Sequence, residues 1–353
     1  MIKVLESHDP NVQLLEYDTN MPNSVVGLYI QNGVLIEGSH QEGISYLLDD
    51  FLYNEICDEF SDLAEEIKTR TYYDFSEFVF VCKRKEINKI LDRLERFINN
   101  YHITDQAYFK RLQKCAIKRC KKHKRRAKDI FNQQYYDCER LFDGIVGDAH
   151  TVAALTVEQL NAWFDLYWKN QAHFLCICNP EMQIELKGQW LPESQKVVDH
   201  IALPPHFCHR DMSDIFCLAV KSKFSEVICS FDCPADLAEN PFAVETICLI
   251  WELELSTMSL MKHEAVEKTY VYFDHNIPRI FFEFYVRQNR IAEFLCEIMA
   301  SIRQRPTIMM FQTALTETLE NNRYFAEDMY QMNQEAGKTI LQVSSTIYLN
   351  TSI

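Results

Sequence analysis

Three polar residues on one short stretch are the first place where this chain could do chemistry. In Gln41-Glu42-Gly43-Ile44-Ser45-Tyr46-Leu47-Leu48-Asp49-Asp50-Phe51-Leu52-Tyr53, the side chains of Tyr46, Asp49 and Asp50 fall within one helical turn. Two adjacent carboxylates can accept a proton or hold a hard cation such as Mg²⁺ or Ca²⁺. A cation would need further oxygen ligands that the sequence does not offer. The plain alternative is that the three residues are the solvated stripe of a core helix. A second candidate is electrostatic: eleven Lys or Arg lie between Lys110 and Lys128, with no acidic residue between Asp105 and Asp129. Lys118, Arg119, Lys121 and Lys122 sit at its centre. Such a run is either a solvated helix face or a surface that attracts an acidic peptide or an acidic patch on a partner. His206-Phe207-Cys208-His209 is the one compact set of soft ligands. No second pair stands at zinc-binding spacing, so it reads as linker chemistry. Cys229-Ser230-Phe231-Asp232-Cys233 lacks the two-residue spacing of redox motifs and reads as core. No phosphate-cradling glycine loop or nucleophile elbow is present.

The elements that must position these residues follow from periodicity. Ile44, Leu47, Leu48, Phe51 and Leu52 recur at helical spacing, so the stripe rides on a buried helix running to about Phe60. Before it, Lys3 to Leu5, Val12 to Tyr17 and Val25 to Ile30 read as strands. Ser61 to Arg70 reads as an acidic helical piece, and Thr71 to Val81 as one or two strands rich in aromatic and β-branched residues. Glu86 to Asn99 places Ile87, Ile90, Leu91, Leu94 and Ile98 on one helical face. Asp105 to Gln134 reads as one long basic helix. Thr156-Val157-Glu158-Gln159 is a capping box that starts another helix, to about Tyr167. Ala172 to Cys178 is a buried strand. Gly188 to Pro205, with three prolines, reads as a linker. The second half repeats the order: strands at 214–223 and 225–232, a helix at 242–261, strands at 268–273 and 279–287, helices at 291–302 and 307–332, and a last strand at 340–349. The chain is thus α+β, with domains at 1–187 and 207–353 joined by a linker at 188–206.

Bulk properties exclude several classes. The net charge of -15 argues against general nucleic-acid binding, which needs a broad basic surface. Thirteen Cys form an odd, irregular set, many inside apolar runs, which reads as free thiols in a reducing compartment. The N-terminus carries no signal-peptide pattern, and no apolar run reaches bilayer length. The expectation is a soluble cytoplasmic protein with no membrane span.

Strand, turn, glycine, then Leu-rich helix resembles the start of the insulinase-like (M16) zinc peptidases, and the element order extends that resemblance from Val12 to about Leu349. It implies two homologous M16-type domains, each a mostly antiparallel sheet packed against helices. In that family the stripe reads His-x-x-Glu-His. Here the two metal-binding His positions read Tyr46 and Asp50, and the general-base Glu reads Asp49. The family's third ligand, a Glu on the following long helix, falls near Arg119, and a guanidinium cannot ligate a cation. The resemblance therefore implies a degenerate, non-catalytic member with no zinc and no other cofactor. The family also adds substrate peptide to a sheet edge, which places Thr69, Thr71 and Tyr73 as candidate peptide contacts. An ordinary edge strand blunted by Lys68, Arg70 and Asp74 is the alternative. The family's Arg and Tyr that hold the substrate backbone fall on His263 and Tyr270. Together these imply a non-catalytic subunit that pairs with a zinc-bearing M16 homologue around a peptide, in the manner of bacterial members that accompany small-peptide maturation. The alternative is a stand-alone or homodimeric peptide-binding protein.

Overall fold

The computed structural model describes residues 2–5, 12–17, 23–73, 75–123, 126–135, 144–169, 173–178, 215–219, 224–234, 237, 240–257, 266–274, 279–302 and 307–327. The linker stretch, His206-Phe207-Cys208-His209, His263 and the last strand expected at 340–349 lie outside them. The chain divides into two compact units: the described parts of 1–124, 138–206 and 325–353, and those of 125–137 and 207–324.

In the first unit a six-stranded sheet runs β1 (Ile2–Leu5), β2 (Val12–Tyr17), β6 (His173–Cys178), β3 (Asn23–Ile30), β5 (Ser76–Lys83), β4 (Ala64–Thr71). Every pairing is antiparallel except β2 with β6. The period-2 rule sorts the strands: Val26, Leu28 and Ile30 of β3 and Phe78, Phe80 and Cys82 of β5 face one core. Onto that face pack α1 (Ile44–Glu59), α2 (Ile87–Asn100), α3 (Gln106–Lys122) and α6 (Val157–Phe164). The α2 core residues are Ile87, Ile90, Leu91, Leu94 and Ile98, and the Thr156–Gln159 capping box closes the start of α6. A short helix, α5 (Ala149–Ala154), precedes α6.

The second unit has a four-stranded antiparallel sheet, β7 (Ile215–Ala219), β8 (Phe224–Asp232), β10 (Arg279–Arg287), β9 (Val266–Asp274). Helices α4 (Ala127–Tyr135), α7 (Pro241–Thr257), α8 (Ile291–Ile302) and most of α9 (Ile308–Glu327) belong to it. The succession β3-α1-β4-β5-α2-α3 recurs as β8-α7-β9-β10-α8-α9. In both, the hairpin's second strand lies between the other two, and a short 3₁₀ turn leads into the next helix. This is an α+β fold of helices on mostly antiparallel sheets.

Two local expectations are corrected. Ser61 to Arg70 is not helical: Ala64–Thr71 is the strand β4, paired along β5. Its charged residues favour a helix in isolation, but the apolar β5 offers a complete backbone ladder, and an edge strand tolerates outward charges. The long basic helix is two helices: α3 ends at Lys122 and α4 begins at Ala127. A carboxylate 99 residues away meets the start of α4: Ala127 N–H donates to Glu226 Oε2 at 2.8 Å, and Arg126 N–H donates to the local Asp129 Oδ2 at 2.7 Å. These acceptors hold the first backbone donors of a new helix.

Candidate functional site

Helix α1 starts at a fixed point. Gly43 adopts φ 91°, and a Cβ there would meet the Val146 carbonyl oxygen at 2.7 Å and Val152 Cγ2 at 2.8 Å. Only glycine fits both demands. The buried Glu37 carboxylate accepts from Gly43 N–H at 2.8 Å and Ser45 N–H at 3.0 Å, satisfying donors that the helix leaves open.

The polar stripe that follows splits in two. Asp49 is not solvated, contrary to the reading of a solvated stripe; it is 2% exposed. Its Oδ2 accepts from Thr71 Oγ1 at 2.6 Å and Ser76 Oγ at 2.5 Å, and its Oδ1 accepts from Asn32 Nδ2 at 3.2 Å. Asn32 Oδ1 in turn accepts from Trp163 Nε1 at 2.6 Å. This chain of hydrogen bonds ties α6, the end of β3, α1, β4 and β5 together. Burial pushes the Asp49 carboxyl up to about 7, against the pull of the Ser76 and Thr71 hydroxyls. The proton count agrees: the Ser76 hydroxyl has one proton but two acceptors, Asp49 Oδ2 and the Asn32 carbonyl at 3.0 Å. A proton on Asp49 relieves that competition. An acid engaged in this way is a structural group, not a base offered to solvent.

Tyr46 and Asp50 turn the other way, toward α3. Arg119 Nη1 donates to Tyr46 Oη at 2.8 Å and lies 3.1 Å from Asp50 Oδ2. Burial works against the Arg119 charge, but the neighbouring Asp50 and Tyr46 more than offset it and its pKa moves up. Burial raises the Tyr46 phenol, with Arg119 opposing. The residues expected to meet, Tyr46, Asp50 and Arg119, are thus brought together, and a guanidinium stands among them.

The other candidates are spread over the units. Thr69 and Thr71 lie on β4, the edge of the first sheet. Both hydroxyls are committed, Thr69 to the Glu77 carbonyl at 2.9 Å and Thr71 to Asp49. Tyr73 follows in the turn, where its carbonyl accepts from Leu35 N–H at 2.7 Å. Tyr270 lies on β9, the edge of the second sheet, and is 46% exposed. Lys118, Lys121 and Lys122 are exposed on α3. Asn32, Ser76, Trp163 and Glu37 escaped the sequence reading. The first three are ordinary polar or aromatic residues with partners far along the chain, 131 residues away for Asn32 and Trp163, while Glu37 caps the start of α1 from six and eight residues before its partners.

Residues 12–148 match the family model of insulinase, peptidase family M16. This is an M16 fold. Solved structures extend the likeness over the rest. A peptidase M16 inactive domain from Pseudomonas fluorescens is 13% identical with a TM-score of 0.68, covering 95% of this chain and 87% of that one. A protease from Helicobacter pylori is 12% identical with a TM-score of 0.71, covering 97% and 90%. The periplasmic protease PqqL from Escherichia coli is 10% identical with a TM-score of 0.59, covering 96% of this chain and 42% of that one. At these identities the likeness is one of fold. No curated protein matches the chain. Among the described residues, no helix is long and apolar enough to cross a membrane.

The M16 frame implies a zinc ion at this site, and the residues present do not fit one. A neutral phenol, a carboxylate already in an ion pair and a cationic guanidinium are not a zinc donor set. Among the described residues, no group of three or more His, Cys, Asp or Glu is placed to hold a metal.

Proposed function

We propose that this chain is a non-catalytic M16-like subunit that pairs with a zinc-bearing M16 homologue to process small peptides. The observation that carries the reading is Arg119, whose guanidinium bridges Tyr46 and Asp50 where the family places its metal ligands. A homologue with an intact His-x-x-Glu-His helix would supply zinc and base, and this chain would close the chamber and help hold the peptide. Among its candidate contacts are Thr69, Thr71 and Tyr73 on or beside β4, with His263 and Tyr270 in the second half. The test is co-purification from the native host, followed by peptidase assays of the homologue with and without this chain. Stimulation by the added chain, undiminished by Asp49→Asn, is the expected result. Stoichiometric zinc or proteolysis in the pure chain would overturn the reading.

A second reading is favoured by the outer edge of β4, which pairs with no other described strand. An extended peptide can add there through its backbone alone, largely indifferent to the loss of catalytic side chains. In that case the chain captures a peptide by itself or as a homodimer. Peptide binding by the isolated chain, with no stimulation of any zinc-bearing homologue, separates this from the first reading.

A further inference from the structure

Of the eleven basic residues between Lys110 and Lys128, the nine that are described do not act as one surface, and the structure sorts them. Arg119 is spent on Tyr46 and Asp50. Arg126 belongs to the second unit, where it forms an ion pair with Glu226 at 3.1 Å and another with Glu283. Lys128 Nζ stands 3.2 Å from the centre of the Phe281 ring. What is left on α3 is Lys110, Arg111, Lys114, Lys118, Lys121 and Lys122, all exposed. Lys110 reaches only the neutral Gln113 side chain and the face of Phe109, and Arg111 lies over the Tyr108 ring. Lys114, Lys118, Lys121 and Lys122 meet no carboxylate among the described residues. Some surface cations elsewhere find partners, as Arg93 does with Asp62, Lys89 with Glu86 and Arg290 with Glu293.

On a helix turning about 100° per residue, Lys110, Lys114, Lys118 and Lys121 fall within an arc of roughly 80°, with Arg111 and Lys122 along its margin. Like charges at i and i+4 repel, and Lys110, Lys114, Lys118 and Lys122 form three such pairs in succession. The helix dipole accounts for cations in the last turn, but not for Lys110, Arg111 and Lys114 further back. Nor does the fold position demand them. In α9, which holds the same place in the second unit's succession, Ile308–Glu327 carries Glu317, Glu320 and Glu327 and the single cation Arg323.

We infer that this lysine stripe is a docking surface for an acidic segment of another polypeptide. Lysines four apart are spaced about 6 Å along the helix axis. Same-face side chains of an extended chain repeat every 6.6 Å or so. An extended segment with Asp or Glu at alternate positions therefore keeps step with the stripe over about 16 Å, or five residues. The net charge of -15 makes the rest of the chain repel nucleic acid, which leaves an acidic polypeptide as the better match. The inference stands on α3 alone and holds whether or not the chain serves a peptidase.

The test uses the full chain and a fluorescein-labelled peptide of alternating Glu and Thr, read by anisotropy from 20 to 200 mM salt. Binding that weakens steadily with salt is expected. Lys114→Glu/Lys118→Glu/Lys121→Glu should reduce it at least tenfold at low salt, because three exposed pairs turn from attraction to repulsion. Lys83→Glu/Lys85→Glu/Arg96→Glu makes the same charge change at exposed positions elsewhere and should alter it less than threefold. The Gln-for-Glu peptide should not bind. Equal loss in both triple variants, no loss in the α3 variant, binding of the Gln peptide, or tighter binding of an oligothymidylate of equal charge would each overturn the inference.

Discussion

The pairing of Arg119 with Tyr46 and Asp50 makes a sharp prediction about metal. Restoring the family motif on α1 alone, by Tyr46→His, Asp49→Glu and Asp50→His, should not give tight zinc binding. Arg119 Nη1 lies 2.8 Å from Tyr46 Oη and 3.1 Å from Asp50 Oδ2, so an ion held by side chains at these two positions would sit about 4 Å from the guanidinium. At an effective dielectric of about 20, a unit charge and a divalent ion at that distance repel by about 8 kcal/mol. Arg119 can relieve this by swinging into solvent, since its side chain is 47% exposed. Its departure still leaves the ion with two imidazoles and no third protein ligand. Adding Arg119→Glu removes the repulsion and supplies a carboxylate together. The quadruple variant should therefore bind zinc at least a thousandfold more tightly than the triple variant. Triple plus Arg119→Ala should fall between them, because it removes repulsion without adding a ligand. Competition against a chromophoric chelator at pH 7.5 reads all three. Submicromolar zinc binding by the triple variant would refute the placement of Arg119 as the element that excludes the metal.

Three further outcomes follow from buried groups. Because the folded-state pKa of Asp49 lies above its unfolded value of 3.8, its stabilising contribution is present below about pH 4 and is lost as pH rises through about 7. At about 1.4 kcal/mol per pH unit, that window carries at most about 4 kcal/mol. Asp49→Asn should therefore gain relative to wild type between pH 4 and 8 in urea melts, and parallel pH profiles would contradict the buried acid. Arg126→Met strands the nearly buried carboxylates of Glu226 and Glu283 and should cost about 3–5 kcal/mol. Adding Glu226→Gln and Glu283→Gln should recover most of that loss, and a double-mutant cycle by guanidinium denaturation measures it. Gly43→Ala should destabilise by about 2 kcal/mol or more, because φ 91° and the Val146 carbonyl both oppose a Cβ. A thermal melt within a degree of wild type would show that the start of α1 relaxes more freely than its packing implies.

Much of the fold was legible because it rests on patterns within one element. The apolar spacing of α1 and α2, the capping box of α6 and the strand runs of β3, β6, β8 and β10 stand where periodicity put them. The misreadings share a cause. Ala64–Thr71 carries helix-favouring charges, and only the neighbouring β5 makes it a strand. The basic run looked continuous because nothing local interrupts it. The second helix instead starts at Ala127, whose N–H is held by Glu226 on the distant strand β8.

The site divides along the same line. Tyr46, Asp49, Asp50 and Arg119 are in the sequence for anyone to read, and their chemistry alone rules out the family's zinc ligands, because a phenol and a guanidinium do not bind zinc. What those residues do instead required the tertiary structure. Asp49 and Asp50 are neighbours in sequence with the same side chain. About 100° of helical rotation sends one into a buried set of hydroxyls and the other to an arginine on α3. The sequence specifies which groups are present; burial and distant partners decide whether each is a base, an ion-pair partner or part of the core.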